Sequence, residues 1–288
     1  MLMPPADHQS YRRRKIGLAL RQFREALGWT QEAAARRLDR SQASLSAYEN
    51  GHRAIRPRDL EQILDRYGVR DVRQRQQLMD LAAQGRRDGW WHSFEERQDP
   101  TVVDFASLEA DSSRIRSWEL HLVPGLLQTE GYARVLLGSY DGVLDAPQDV
   151  ESSLQFRLNR QQVLRGEDPP RVEWVIGEAA LRLQVGGPEV MRAQLDALRE
   201  ASQLRHVDLR VLPFAVGGHP GVDGPFSIID VVPDESMQVV AVHSLSRSWY
   251  IDDPVNVGTY VRSFEKLQSL ALTRSGSRER IEQIASEL

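Results

Sequence analysis

The sequence predicts an all-helical amino-terminal domain followed by an α+β domain with a small sheet. Three observations predict it. Apolar residues recur at spacings of three and four through the first 85 or so residues, the period of helices that bury one face. From about residue 172 the pattern changes to short alternating apolar runs separated by helices and by turns rich in Gly and Pro. The charge also divides the chain. Residues 1–87 hold 18 Lys+Arg against 10 Asp+Glu, a net +8, and the remainder carries −12, giving the overall −4. The expected division is a helical domain over 1–85, a hinge over 86–103 and a second domain over 104–288.

In the first domain Ile16, Leu20, Phe23 and Leu27 form one apolar stripe and predict a helix over about 15–27, stopped by Gly28. Thr30 is a good N-cap for a second helix that turns Ala33, Ala34 and Leu38 inward, its small alanines allowing close helix crossing. Asp39-Arg40 makes a tight turn, and Ser41 caps a third helix whose Leu45 and Tyr48 face the core and which Gly51 ends. A fourth helix over 59–67, with Pro57 just before it, and a fifth over 72–83 complete five helices.

Further on, residues 85–100 are polar and aromatic, with Trp90-Trp91, and suit the hinge. Phe105, Leu108, Ile115 and Trp118 predict one helix over 104–118. Pro124-Gly125 is a turn, Thr129 caps a helix to Leu137, and residues 149–164 form another helix rich in Arg and Gln. Strands are expected at 172–177, 207–212, 226–232, 238–243 and 248–251, with helices at 188–202, 254–272 and 278–288. Trp118, Trp174 and Trp249 are expected in the core.

A helix, a tight turn and a second helix opening with small polar residues is the plan in which the second helix lies in the major groove of DNA. On the side of that helix away from the core lie Gln42, Ala43, Ser46 and Ala47. An amide pairs with adenine through two hydrogen bonds, a hydroxyl donates or accepts, and a methyl meets the thymine methyl, so these four are the candidate base readers. Gln31, Arg40, Ser41, Arg53 and Arg56 are the candidate phosphate contacts. A basic domain on an acidic body fits a duplex DNA operator as partner. Because one such domain reads a half-site, a homodimer on a two-fold site is expected.

These residues also resemble a family. Leu20-Arg21-x-x-Arg24, Gly28-Trp29-Thr30-Gln31, Ala34, Leu38, Ser41, Leu45-Ser46-x-Tyr48-Glu49-x-Gly51 are similar to the Xre/phage-repressor class of helix-turn-helix proteins. The resemblance implies a five-helix, lambda-repressor-like domain, a phosphate grip at Gln31, base contacts at Gln42, Ala43, Ser46 and Ala47, and a structural ion pair between Arg24 and Glu49. One departure is Asp39, where the class usually has Gly.

The body resembles the actinobacterial WhiJ-like, antitoxin-like group of such regulators. The resemblance rests on Trp90-Trp91, Leu108-Glu109, Val123-Pro124-Gly125-Leu126-Leu127-Gln128-Thr129 with Tyr132-Ala133-Arg134, Arg157 with Arg160-Gln161, Glu178-Ala179-Ala180-Leu181-Arg182, and Leu212-Pro213-Phe214 with His219 and Gly224-Pro225-Phe226. It implies a small protein partner that modulates the regulator, in developmental or antibiotic control. Leu126, Leu127, Gln128 and His219 are the candidate partner or ligand residues. The leucine pair reads as core or as a partner groove, core being favoured, and Gly217–Gly221 as a ligand loop or a plain connection. The alternative is a small-molecule receptor, or a vestigial enzyme, near residues 217–224.

Several functions are excluded or unsupported. The absence of cysteine excludes disulfide frameworks, cysteine zinc sites and thiol catalysis, and fits a reducing cytoplasm. His8, His52, His92, His121, His206, His219 and His243 show no metal-ligand spacing, so no metal and no cofactor is expected. No Gly-x-Ser-x-Gly elbow or phosphate loop occurs, and no catalytic residues are assigned. No apolar run approaches the ~20 residues a bilayer requires, and residues 1–15 lack the apolar segment of a signal peptide, so no membrane partner is expected.

Overall fold

The computed structural model describes residues 10–84, 89–143, 149–231, 237–245 and 248–288. The chain divides into two compact units: Met1–His92 with Asp99–Phe105, and Ser93–Gln98 with Ala106–Leu288.

The first unit carries five helices: α1 (Tyr11–Ala26), α2 (Gln31–Arg37), α3 (Gln42–Glu49), α4 (Pro57–Arg66) and α5 (Val72–Gln84). The first helix begins a turn earlier than its stripe of apolar residues. Ser10 accepts from the Arg13 amide as N-cap, and Tyr11 is buried. Ile16, Leu20, Leu45, Leu60, Ile63, Leu64, Leu78 and Leu81 are among the buried side chains of this unit. Leu27, expected on the inner stripe of α1, is 41% exposed because it has become the C-cap.

The second unit is a mixed six-stranded sheet with helices on both faces. After α6 (Pro100–Ala110) come β1 (Arg114–Glu119), α7 (Glu130–Gly138), α8 (Val150–Arg160), β2 (Arg171–Gly177), α9 (Glu178–Arg182), α10 (Pro188–Ala201) and β3 (Val207–Leu212). The remainder is β4 (Phe226–Asp230), β5 (Gln238–His243), β6 (Ser248–Ile251), α11 (Pro254–Leu270) and α12 (Arg274–Ser286). The strand order is β3-β2-β1-β4-β5-β6. β1 pairs in parallel with β2, and β2 with β3, while β1 pairs antiparallel with β4. Alternate residues face opposite layers. Ile115, Trp174, Ile176 and Leu209 pack with Tyr132 of α7, Leu195 of α10 and Ile281 of α12. Trp118, Val175, Ile228 and Val240 pack with Val257, Phe264 and Leu267 of α11.

The structure adds to or differs from the expectations at three places. The single helix expected over 104–118 is α6 followed by β1, so Ile115 and Trp118 belong to a strand. The stretch expected as a hinge contains a 3-10 turn at Trp90–Phe94 and the first turn of α6; residues 85–88 lie outside the described residues. Trp249, expected in the core, is 47% exposed, because β6 is an edge strand with one neighbour. Among the described residues no helix is long and apolar enough to cross a membrane.

Candidate nucleic-acid interface

The helix-turn-helix is held by one buried carboxylate. Glu49, at the end of α3, accepts from Arg24 Nε at 2.6 Å, from the same guanidinium's terminal nitrogen at 2.9 Å, and from the Gln31 side-chain amide at 2.8 Å. Arg24 also donates to the Trp29 carbonyl at 2.8 Å. Both charged side chains are buried, and the hydrogen bond to Glu49 raises the Arg24 pKa despite burial. One ion pair thus ties α1, the α1–α2 connection, α2 and α3 into a fixed geometry. Glu49 is scaffold.

Gly17 makes the crossing of α1 over α3 possible. A Cβ there would lie 2.5 Å from the Tyr48 carbonyl oxygen and 2.6 Å from that of Glu49. The sequence reading passed over this residue; its signal is a glycine inside an otherwise helical pattern. The turn between α2 and α3 places Asp39 at φ 53°, a left-handed conformation that Asp tolerates better than most residues. Thr30 caps α2 by accepting from the Ala33 amide, and Ser41 caps α3 by accepting from the Ser44 amide.

With the scaffold set, α3 presents its polar side. Ser41, Gln42 and Ala43 are exposed, and Ser46 and Ala47 are half-buried. The Ser46 hydroxyl accepts from Asn50 at 3.2 Å, which brings an additional exposed amide to this face. The cations are held in different ways. Arg40 pairs with Asp59 at 2.7 Å and lies 6.0 Å from the Tyr48 ring centroid. Arg53 lies 5.8 Å from the same ring while remaining exposed, and Arg56 is exposed at the N-cap of α4. Gln31 is half-buried, with one of its two amide N–H groups engaged by Glu49. The structure therefore brings Gln42, Ala43, Ser46 and Ala47 onto one helix, with Ser41 as its cap, and leaves Arg53 and Arg56 accessible.

The carboxy-terminal candidates separate. Leu126 and Leu127 are buried in the core, not exposed as a partner groove. Gln128 is buried too: its amide donates to the Val123 carbonyl at 2.8 Å, and its carbonyl accepts from Arg157. Gln194 clasps the same loop from α10, donating to the Leu127 carbonyl and accepting from the Thr129 amide. Gln161 donates to the carbonyls of Gly125 and Gln128. Gly125 leaves room for Arg160, whose guanidinium would stand 3.3 Å from a Cβ there. The Pro-Gly-Leu-Leu-Gln-Thr block is thus a buried, fully pinned loop. His219 lies elsewhere, edge-to-face on Trp118 at 5.2 Å, its Nδ1 accepting from the Gly221 amide. Trp118 in turn donates to the Gly221 carbonyl at 2.9 Å, which fastens the loop after β3 to the end of β1. Among the described residues no three His, Asp or Glu side chains come together as a metal site.

A helix-turn-helix domain model matches residues 15–78, and the model of a domain of unknown function, DUF5753, matches residues 102–283, well over half of the chain. The chain belongs to the DUF5753 family. No curated protein and no solved structure matches it. In this DUF5753 protein the helix-turn-helix match spans the whole Glu49 clamp and the exposed side of α3, and points to a DNA-binding regulator.

Proposed function

We propose that this chain is a sequence-specific transcription regulator of the Xre type, reading a two-fold operator as a homodimer through Gln42, Ala43, Ser46 and Ala47, with Gln31, Arg40, Ser41, Arg53 and Arg56 on the phosphates. The observation that carries the reading is the pairing of a rigid scaffold with an accessible helix face. Glu49 fixes α2 against α3, and α3 leaves an amide, a hydroxyl and two methyls on its outer side. Bases are read by side chains of this kind, held in register by phosphate contacts.

The carboxy-terminal domain, on this reading, binds a small protein partner that alters DNA affinity, as in the antitoxin-like actinobacterial group, and the protein works in the cytoplasm without catalysis. Exposed apolar side chains on the sheet edge support a protein partner: Trp249 on β6 and Leu245 in the β5–β6 connection, at 47% and 62% exposure.

DNA capture from genomic fragments tests the first part. A two-fold-symmetric site should be enriched, and Gln42→Ala should lose about 1–3 kcal/mol of discrimination at one base position. An unenriched pool sinks the operator reading, and an unchanged preference removes Gln42 from the reading set. Co-expression of the small open reading frame beside the gene should abolish capture, and Trp249→Ala should restore it.

A further inference from the structure

The carboxy-terminal domain gathers charge near the carboxyl end of β1: Glu109 is buried, and Glu119, Arg157 and Arg160 are half-buried. Glu119 closes that strand on the face that also carries Ile115 and Ser117, the latter sharing a 2.7 Å hydrogen bond with Ser227 of β4. The last turn of α8 carries Arg157 and Arg160, and Arg160 is close enough to act on the Glu119 charge. Arg160 is closed off by Glu109, which takes its guanidinium at 2.7 and 3.0 Å.

Arg157 is not closed off. Its guanidinium makes one hydrogen bond, to the neutral Gln128 carbonyl, and among the described residues no carboxylate stands at ion-pair distance from it. Burial, reinforced by Arg160, pulls its pKa down to about 10. A guanidinium offers five N–H donors, and one of them is used here. The Glu119 carboxyl makes no hydrogen bond to the described residues either, and burial pushes its pKa up to about 8. Tyr132 accepts from the Val123 amide at 3.3 Å, which leaves its hydroxyl proton to give, and this phenol feels both Glu119 and Arg157. Arg157 and Tyr132 thus meet at one loop: Arg157 donates to Gln128, whose amide donates to the carbonyl of Val123, whose own amide donates to Tyr132.

We propose that the loop after β1 is a binding site for a small oxyanion-bearing molecule, a carboxylate or a phosphate, whose anionic group sits on the open edge of the Arg157 guanidinium and accepts from Tyr132. Two oxygens on one atom match the guanidinium fork. The site does not depend on the DNA reading: a failed operator capture leaves it standing, and a failed anion titration leaves the operator standing.

The test titrates the full chain at pH 7 with sodium acetate and with sodium phosphate, against sodium chloride of equal ionic strength, and reads the unfolding midpoint. A saturable rise beyond chloride is expected with one of the two, acetate marking a carboxylate ligand and phosphate a phosphorylated one. Arg157→Gln should raise the half-saturating concentration at least tenfold without lowering the midpoint of the anion-free protein, since it removes an unpaired cation. Arg157→Lys keeps the charge but loses the fork, and should fold and bind more weakly. The proposal is overturned by no saturable rise with either anion, by equal rises in wild type and Arg157→Gln, or by Arg157→Gln unfolding while Arg157→Lys folds and binds as wild type does.

Discussion

The two units of this chain treat buried charge in opposite ways. In the amino-terminal unit Glu49 accepts three hydrogen bonds and its partner Arg24 donates four, with a main-chain carbonyl among the acceptors. In the carboxy-terminal unit Glu109 and Arg160 form a comparable fork, but Arg157 and Glu119 beside them are left largely unmatched. A carboxylate whose hydrogen-bonding capacity is met inside the protein holds a structure together and has nothing further to offer a ligand. A cation held half-buried with a single neutral acceptor weakens the fold locally, and that is the pattern expected of a binding site. Charge that looks similar in a sequence therefore separates into scaffold and site by how completely its partners satisfy it.

The largest effect expected from that contrast is at Glu49. Replacing it with Ala strands Arg24 in a buried position and should destabilise the amino-terminal domain by about 3–5 kcal/mol, read from its denaturant midpoint, with DNA capture lost in parallel. A loss below about 1 kcal/mol would place Glu49 with the unmatched charges of the other unit and break the distinction. Next comes Gly17→Ala. Alanine is the better helix former, yet the new methyl must push against the Tyr48 and Glu49 carbonyls, so a loss of about 1–3 kcal/mol is expected where propensity alone predicts a gain.

The smallest effect concerns pH in the other unit. Glu119 keeps its proton in the folded chain up to about pH 8, whereas the unfolded chain releases it near the ordinary 4.5. The folded state binds more protons between those values, so this group's contribution to stability falls as pH rises through that window. Neighbouring Glu109 adds to the upward shift, and Arg160 opposes it. Glu119→Gln should flatten the decline in unfolding midpoint across that range. A decline of unchanged steepness in the variant would assign it to other groups.

Much of the first unit is legible in the sequence because its signals are local. Thr30 and Ser41 cap where cap residues should, Asp39 adopts the left-handed turn its side chain tolerates, and the helix periods are undisturbed. Gly17 escaped because a mid-helix glycine says only that something approaches closely, not what. The second unit is less legible for physical reasons. Residues 115–118 of β1 are buried on both faces, so the strand shows no alternation, and Ile115 and Trp118 at a spacing of three continue the helical period of Phe105 and Leu108. Trp249 reads as core by composition, but an edge strand leaves it half in water. The Arg157 site was invisible because an Arg- and Gln-rich amphipathic helix reads as one with an ordinary solvated face. Only the fold shows that the last turn of α8 sends Arg157 to Gln128 in the loop after β1 and Arg160 to Glu109 of α6.

The position of β1 also sets a timetable for synthesis. Its parallel partner β2 begins at Arg171 and its antiparallel partner β4 at Phe226, so the bond between Ser117 and Ser227 spans 110 residues. At about 5–20 residues per second a ribosome needs roughly 5–20 s to bring the second neighbour after the first strand has emerged. The helical unit, built from local contacts, needs no such wait. The nascent chain therefore carries a finished helix-turn-helix for seconds before the carboxy-terminal sheet can close, and the β4 edge of a central strand is open to mispairing throughout that interval.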